Sequence, residues 1–108
     1  MRVKLLCAAF AMGAIPSLAV ADETTVESIN YACADNEILR VVYVNGADGK
    51  GFAIVQQMDE MIPMAQEVSA SGAIYTAINP DYTYTLLTKG EEATLEDDNG
   101  VILQDCSM

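Results

Sequence analysis

Three clusters of turn-forming residues punctuate this chain, and from Val26 onward the pattern is short strands and turns with no convincing helical stretch. Asn45-Gly46-Ala47-Asp48-Gly49-Lys50-Gly51 packs three glycines among turn formers, Asn79-Pro80-Asp81 combines a fixed φ with two side chains that bond nearby backbone, and Asp98-Asn99-Gly100 is a hairpin signal. Between them lie runs rich in β-branched and aromatic residues: Ser28–Cys33, Ile38–Val44, Phe52–Gln57, Ala73–Ile78, Tyr82–Thr88, Glu92–Asp97 and Val101–Asp105. Met58–Val68 has Met58, Met61, Ile62, Met64 and Ala65 near helical spacing, but Pro63 interrupts it, and the reading is one or two short strands. Seven or eight strands joined by short reversals predict an all-β domain, a small closed antiparallel eight-stranded β-barrel, with a β-sandwich as the alternative.

The first residues stand apart from this pattern. Met1-Arg2-Val3-Lys4 is a short basic start, Leu5–Leu18 is apolar, and Ala19-Val20-Ala21 has the small-x-small form of a cleavage site. The apolar run is short for a spanning helix. The expected organisation is a signal peptide over residues 1–21 and one folded domain over residues 22–108, exported and soluble after cleavage. Cys7 precedes most of the apolar run, where a lipidated cysteine would follow it, so no membrane anchor is expected.

Removing Arg2 and Lys4 sharpens the charge balance. The whole chain carries a formal charge of −11. The expected mature domain keeps three cations, Arg40, Lys50 and Lys89, against sixteen acids, which makes −13. Nucleic acid and anionic membrane surfaces both reward cations, so neither is an expected partner. A basic partner would be drawn in at long range.

Two cysteines remain, Cys33 and Cys106. An even count in a small exported domain reads as one structural disulfide. Closing so long a loop restricts the unfolded chain by roughly 4 kcal/mol. The chain has no histidine and no CxxC pair, and no metal or cofactor is expected. Gly46–Gly51 lacks the spacing of a phosphate loop. The adjacent acids Glu91 and Glu92 would point to opposite faces of a strand, and Glu96, Asp97, Asp98 and Asn99 lack a calcium-loop spacing. An enzyme is therefore not the expected reading.

The hairpin around Pro80 holds the sharpest feature. Centred on that proline, Ile74 faces Leu86, Thr76 faces Tyr84 and Ile78 faces Tyr82, which with Gly72 and Thr88 form a core side. Ser71, Ala73, Tyr75, Ala77, Thr83, Thr85, Leu87 and Lys89 form the open side, with Ser71 directly across from Lys89. A register slip of one puts Gly72 opposite Lys89 and leaves Ser71 beside Gly90. Either register brings a hydroxyl and an ammonium together, with Gly72 and Gly90 allowing a bend or a close approach.

These residues resemble a known family, the bacterial inhibitors of C-type lysozyme (MliC/PliC). Tyr31-Ala32-Cys33 is similar to its opening Y-x-C, Ser71-Gly72-Ala73-Ile74-Tyr75 to its S-G-x-x-Y motif, Thr88-Lys89-Gly90-Glu91-Glu92-Ala93-Thr94-Leu95 to its T-K-G-[DE]-E-A-x-L motif, and Cys106 to its terminal cysteine. The resemblance implies an eight-stranded barrel with a Cys33–Cys106 bridge that inserts a surface loop into the lysozyme cleft. Ser71 and Lys89 would occupy the enzyme's catalytic carboxylates, framed by Gly72, Thr88 and Gly90, with Tyr75 supporting the loop. Members often pair, and the apolar Met58–Met64 segment is the candidate homodimer surface. The family has lipid-anchored and free periplasmic forms, and the signal-peptide reading places this chain with the free one. One departure stands out: where an aromatic residue is expected shortly before T-K-G, this chain has Leu86-Leu87, with Tyr84 the nearest ring.

Overall fold

A computed structural model describes residues 23–67 and 72–108. Eight antiparallel strands follow one another around a closed barrel: β1 (Thr25–Ala32), β2 (Ile38–Asn45), β3 (Gly51–Gln57), β4 (Glu60–Glu67), β5 (Ala73–Ala77), β6 (Thr85–Lys89), β7 (Glu92–Asp97) and β8 (Gly100–Ser107). The barrel of the sequence reading is correct, and the sandwich is not.

Side chains alternate in and out along each strand, so every second residue fills the barrel. Leu39, Val41 and Tyr43 on β2, Ala53 and Val55 on β3, and Ile62 and Met64 on β4 are buried in this way. They meet Tyr75, Leu86, Leu95 and Leu103 from the other half. Tyr31 and Tyr43 share a buried hydroxyl–hydroxyl hydrogen bond of 2.7 Å. The Tyr75 ring lies tilted against Tyr43 with centroids 5.6 Å apart. The interior is thus filled by its own side chains, which leaves function to the surface.

Of the Met58–Val68 segment, residues 58–67 form a hairpin turn and arm; Val68 lies outside the described residues. Met58 and Asp59 form a two-residue reversal between Gln57 and Glu60, with φ of 52° and 65°. Positive φ at both centres is the hairpin-favouring geometry, achieved here without glycine. β4 then runs straight through Pro63. A residue in an antiparallel strand sends its N–H and C=O to the same side. The Pro63 carbonyl accepts from the Ile78 N–H, just past the end of β5, so the donor proline lacks would have pointed where that ladder stops. The Met58–Met64 segment is also not one apolar surface: Met58 and Met61 are exposed, while Ile62 and Met64 belong to the core.

The β5–β6 hairpin corrects the expected register. Ala73 pairs with Thr88, Ile74 with Leu87, Tyr75 with Leu86 and Thr76 with Thr85. This is the one-residue slip, and it swaps the faces of β5. Tyr75, expected on the open side, is 6% exposed in the core, whereas Ile74 and Thr76 turn outward. The cause is the loop. β5 ends at Ala77 and β6 begins only at Thr85, so Tyr82–Tyr84 are loop rather than strand. An Asx turn shapes the reversal, with the Asp81 N–H donating to Asn79 Oδ1 at 2.9 Å and Tyr82 N–H to the Asn79 carbonyl at 3.1 Å. Tyr82 and Tyr84 stack on each other, with Tyr84 also packed against the core.

Closure between the first and last strands is the weakest joint. β1 and β8 pair only at Ala32 and Ser107. The expected Cys33–Cys106 disulfide sits beside that pair and spans 73 residues of sequence.

Candidate partner-binding site

β6 delivers Lys89 to one end of the barrel as its last residue, exposed and paired across the turn with Glu92. The turn is Gly90-Glu91. Gly90 has φ of 60°, and Glu91 is not among the residues of positive φ. Glycine alone at the first centre is the pattern of a II′ hairpin turn, whose twist suits the flanking strands. The carbonyl of Glu91 accepts from the Met108 N–H at 3.1 Å, and Glu92 pairs with Ser107. The end of β8 therefore braces the far side of the lysine turn.

The segment entering β5 lies against the same strand. Gly72 has φ of 75°, and a Cβ placed on it would sit 2.2 Å from the Thr88 carbonyl oxygen and 3.4 Å from Lys89 Cα. Only glycine permits both this conformation and this approach. Thr88 Oγ1 donates to the Ala73 carbonyl at 3.2 Å, a second tie between the two strands. Gly72, Thr88, Lys89 and Gly90 thus form one patch at the rim. Tyr75 is set apart inside the barrel, where it packs against Tyr43 beneath β5. Burial, with the neighbouring Tyr31, pushes its hydroxyl above the ordinary tyrosine pKa, so it is a neutral support. Ser71, with the rest of 68–71, lies outside the described residues. Of the two registers read from sequence, the strands adopt the slipped one, and Gly72 packs on Thr88 and Lys89.

Two grooves flank the patch. One, about 340 Å³, is lined by Ile74, Leu87, Thr88, Lys89, Glu92 and Thr94 among others. Leu87, half-buried beside Lys89, occupies part of the place where an aromatic residue was expected; Leu86 is fully buried in the core. The other groove, about 530 Å³, runs from Lys50, Gly51 and Phe52 past Gln66 and Glu67 to Gly72. Lys50 and Phe52 were not singled out from sequence, because the Gly49–Gly51 run reads equally well as a plain turn. Their relevance comes from topology: the β2–β3 and β6–β7 turns fall at the same end of an up-and-down barrel. Two of the three cations outside the basic start are therefore at this rim. Among the described residues no group of three or more Asp, Glu, Cys or His converges as a metal site.

An exposed ammonium on a braced turn, bordered by glycines and by grooves, can pair with a carboxylate brought to it. Comparison with known proteins bears on which partner. The family model described as "Membrane-bound lysozyme-inhibitor of c-type lysozyme" (MliC) matches residues 31–104. Among solved structures, the periplasmic lysozyme inhibitor of C-type lysozyme from Salmonella typhimurium, PliC-St, superposes with a TM-score of 0.74 at 44% identity, covering 78% of this chain and 98% of that one. No curated protein matches the sequence. The family and the solved relative are inhibitors, not enzymes.

Proposed function

The chain belongs to the MliC family of C-type lysozyme inhibitors, and from that premise we propose that it inhibits C-type lysozyme by placing Lys89 and Ser71 against the enzyme's two catalytic carboxyl groups. A retaining glycosidase holds those groups about 5 Å apart, one protonated and one ionised. The ammonium of Lys89 pairs with the ionised group. The hydroxyl of Ser71 exchanges a hydrogen bond with the protonated one, and both contacts gain from the charge present.

The observation that carries this reading is the Gly72 contact. Its bare Cα lies directly on the strand bearing Lys89, and the motif serine immediately precedes it in the chain. Thr88 and Gly90 hold the lysine turn, and Tyr75 anchors β5 from inside. Burying Lys89 in a cleft costs desolvation that only a full carboxylate pairing repays, which makes the contact selective. The many carboxylates of the domain have a separate role, steering a basic enzyme toward the rim before contact.

Export completes the proposal. The basic start, apolar run and Ala19-Val20-Ala21 mark residues 1–21 as a signal peptide, releasing a free periplasmic domain; PliC-St is periplasmic. Mass spectrometry of the protein recovered from the periplasm should find Asp22 at the N-terminus. The decisive functional experiment is a titration of lysozyme activity with the purified domain. Inhibition should be complete near one equivalent, and the Ser71→Ala/Lys89→Ala double variant should lose most of it while melting like the wild type. Undiminished inhibition by that variant would refute the carboxylate contact.

A further inference from the structure

The weakest joint of the barrel is also its least explained surface. β8 pairs with β7 along its length but with β1 only at Ser107, so among the described residues the second edge of Val101–Gln104 has no strand partner. Such an edge presents backbone donors and acceptors to any extended chain that reaches it. Here it forms one wall of a groove of about 450 Å³, whose other walls include Asp35, Glu37, Ile38 and Met58. Ile38, Val101 and Met58 expose 50%, 54% and 81% of their surface, which is costly unless something covers it. Asp35 and Glu37 are the charged residues lining the groove, and neither Lys nor Arg lines it.

We infer that this seam docks a short, extended, cationic peptide segment, which adds to the β8 edge with apolar side chains on Ile38, Met58 and Val101 and cationic ones toward Asp35 and Glu37. A second copy of the chain fits less well. Two strongly acidic domains repel. β8 also carries two bulges: from Ala93 to Leu95 it advances three residues against two on β7, and from Leu95 to Glu96 two against one. The first coincides with Asp105 at φ of 56°. Bulges curve an edge away from the long flat pairing that the edge strand of a second copy would need. The seam is separate from the lysine turn. Val101 pairs with Glu96 and Glu96 with Thr85, at the opposite end of β6 from Lys89, roughly 13 Å of strand away.

Fluorescence polarisation with a labelled, capped hexapeptide KVKIKV tests this on the purified domain. Saturable binding is expected, weakening as salt rises, with no binding of EVEIEV. The Met58→Lys/Val101→Lys variant, which replaces two exposed apolar groups with like charges, should weaken KVKIKV binding at least about tenfold and leave lysozyme inhibition unchanged. In the wild-type protein, the amides of Val101–Gln104 should gain hydrogen-exchange protection with peptide bound, a readout that does not depend on the variant folding. The inference is overturned if KVKIKV shows no saturable binding, if EVEIEV binds equally, or if protection appears elsewhere. Sedimentation showing a dimer that Val101→Lys dissociates would overturn it as well, by assigning the seam to a second copy.

Discussion

Gly72 and Gly90 are both glycines of positive φ beside Lys89, and replacing each by alanine separates conformational strain from steric contact. At Gly90, φ is 60° and nothing lies within 4 Å of the added Cβ. Gly90→Ala should therefore cost only the strain of placing a side chain at the positive φ of this turn, about 1–3 kcal/mol. At Gly72 the same penalty applies, and the Cβ also meets the Thr88 carbonyl at 2.2 Å. Ordinary contact begins near 3.4 Å, so the 72 segment and β6 must part by about 1 Å. Neither neighbour yields cheaply, since the obstacle is backbone in a paired strand. Gly72→Ala should thus lose more stability than Gly90→Ala, with each kcal/mol lowering Tm by about 4–8 °C in a domain this size. The displacement also moves the Lys89 strand relative to the segment that precedes β5. A charge-assisted hydrogen bond contributes about 1.5–3 kcal/mol, so losing one should weaken lysozyme binding about 10- to 150-fold. Thermal melts and inhibition titrations of both variants check this. If Gly72→Ala melts and inhibits like Gly90→Ala, the close approach at Gly72 is not what organises the rim.

Other outcomes follow from the same geometry. Replacing Cys33 and Cys106 by alanine should cost roughly 4 kcal/mol, the entropy of a 73-residue loop, and should show as a lowered urea midpoint. Burial, reinforced by the hydrogen bond with Tyr31, pushes the Tyr43 hydroxyl far above the ordinary tyrosine pKa, and burial raises Tyr75 as well. In the unfolded chain these groups ionise near pH 10. The folded state then holds more protons than the unfolded one, so stability is intact below pH 10 and falls above it. Above pH 10 the slope approaches about 1.4 kcal/mol per pH unit for Tyr43, with Tyr75 adding in the same direction; urea midpoints that stay constant above pH 10 would contradict the buried cluster. Rising salt should slow association with lysozyme more than it speeds dissociation. A salt-independent on-rate in stopped-flow measurements would remove steering from the account.

Much of the barrel was legible in the sequence because its turns declare themselves chemically. Asn79-Pro80-Asp81 forms the Asx turn its residues favour, and Asp98-Asn99-Gly100 carries β7 back as β8. The reversal at Met58-Asp59 was not legible, because it carries no glycine and only Asp59 tolerates positive φ, while Met58 gives no such signal. Pro63 turned the reading of Met58–Val68 from helix to strand, but not to one unbroken strand, since a proline's effect depends on which side of the strand its missing donor faces. The faces of β5 were misread for a similar reason: loop length, not the proline's position, sets register, and one residue moved Tyr75 from the open side to the core. At the candidate site, Lys89 and its glycines could be read from local motif. Lys50 and Phe52 could not, because it is the β3–β4 register, and no local motif, that lays the start of β3 beside the end of β4 and Gly72.

A double-mutant cycle tests the central contact most directly. Lys89→Met in this protein is crossed with replacement of the ionised catalytic carboxylate of lysozyme by its amide, and all four affinities are measured. Direct pairing predicts that either change alone weakens binding by about 2–5 kcal/mol and that the two together are far from additive. Strictly additive losses would mean that Lys89 acts somewhere other than on that carboxylate.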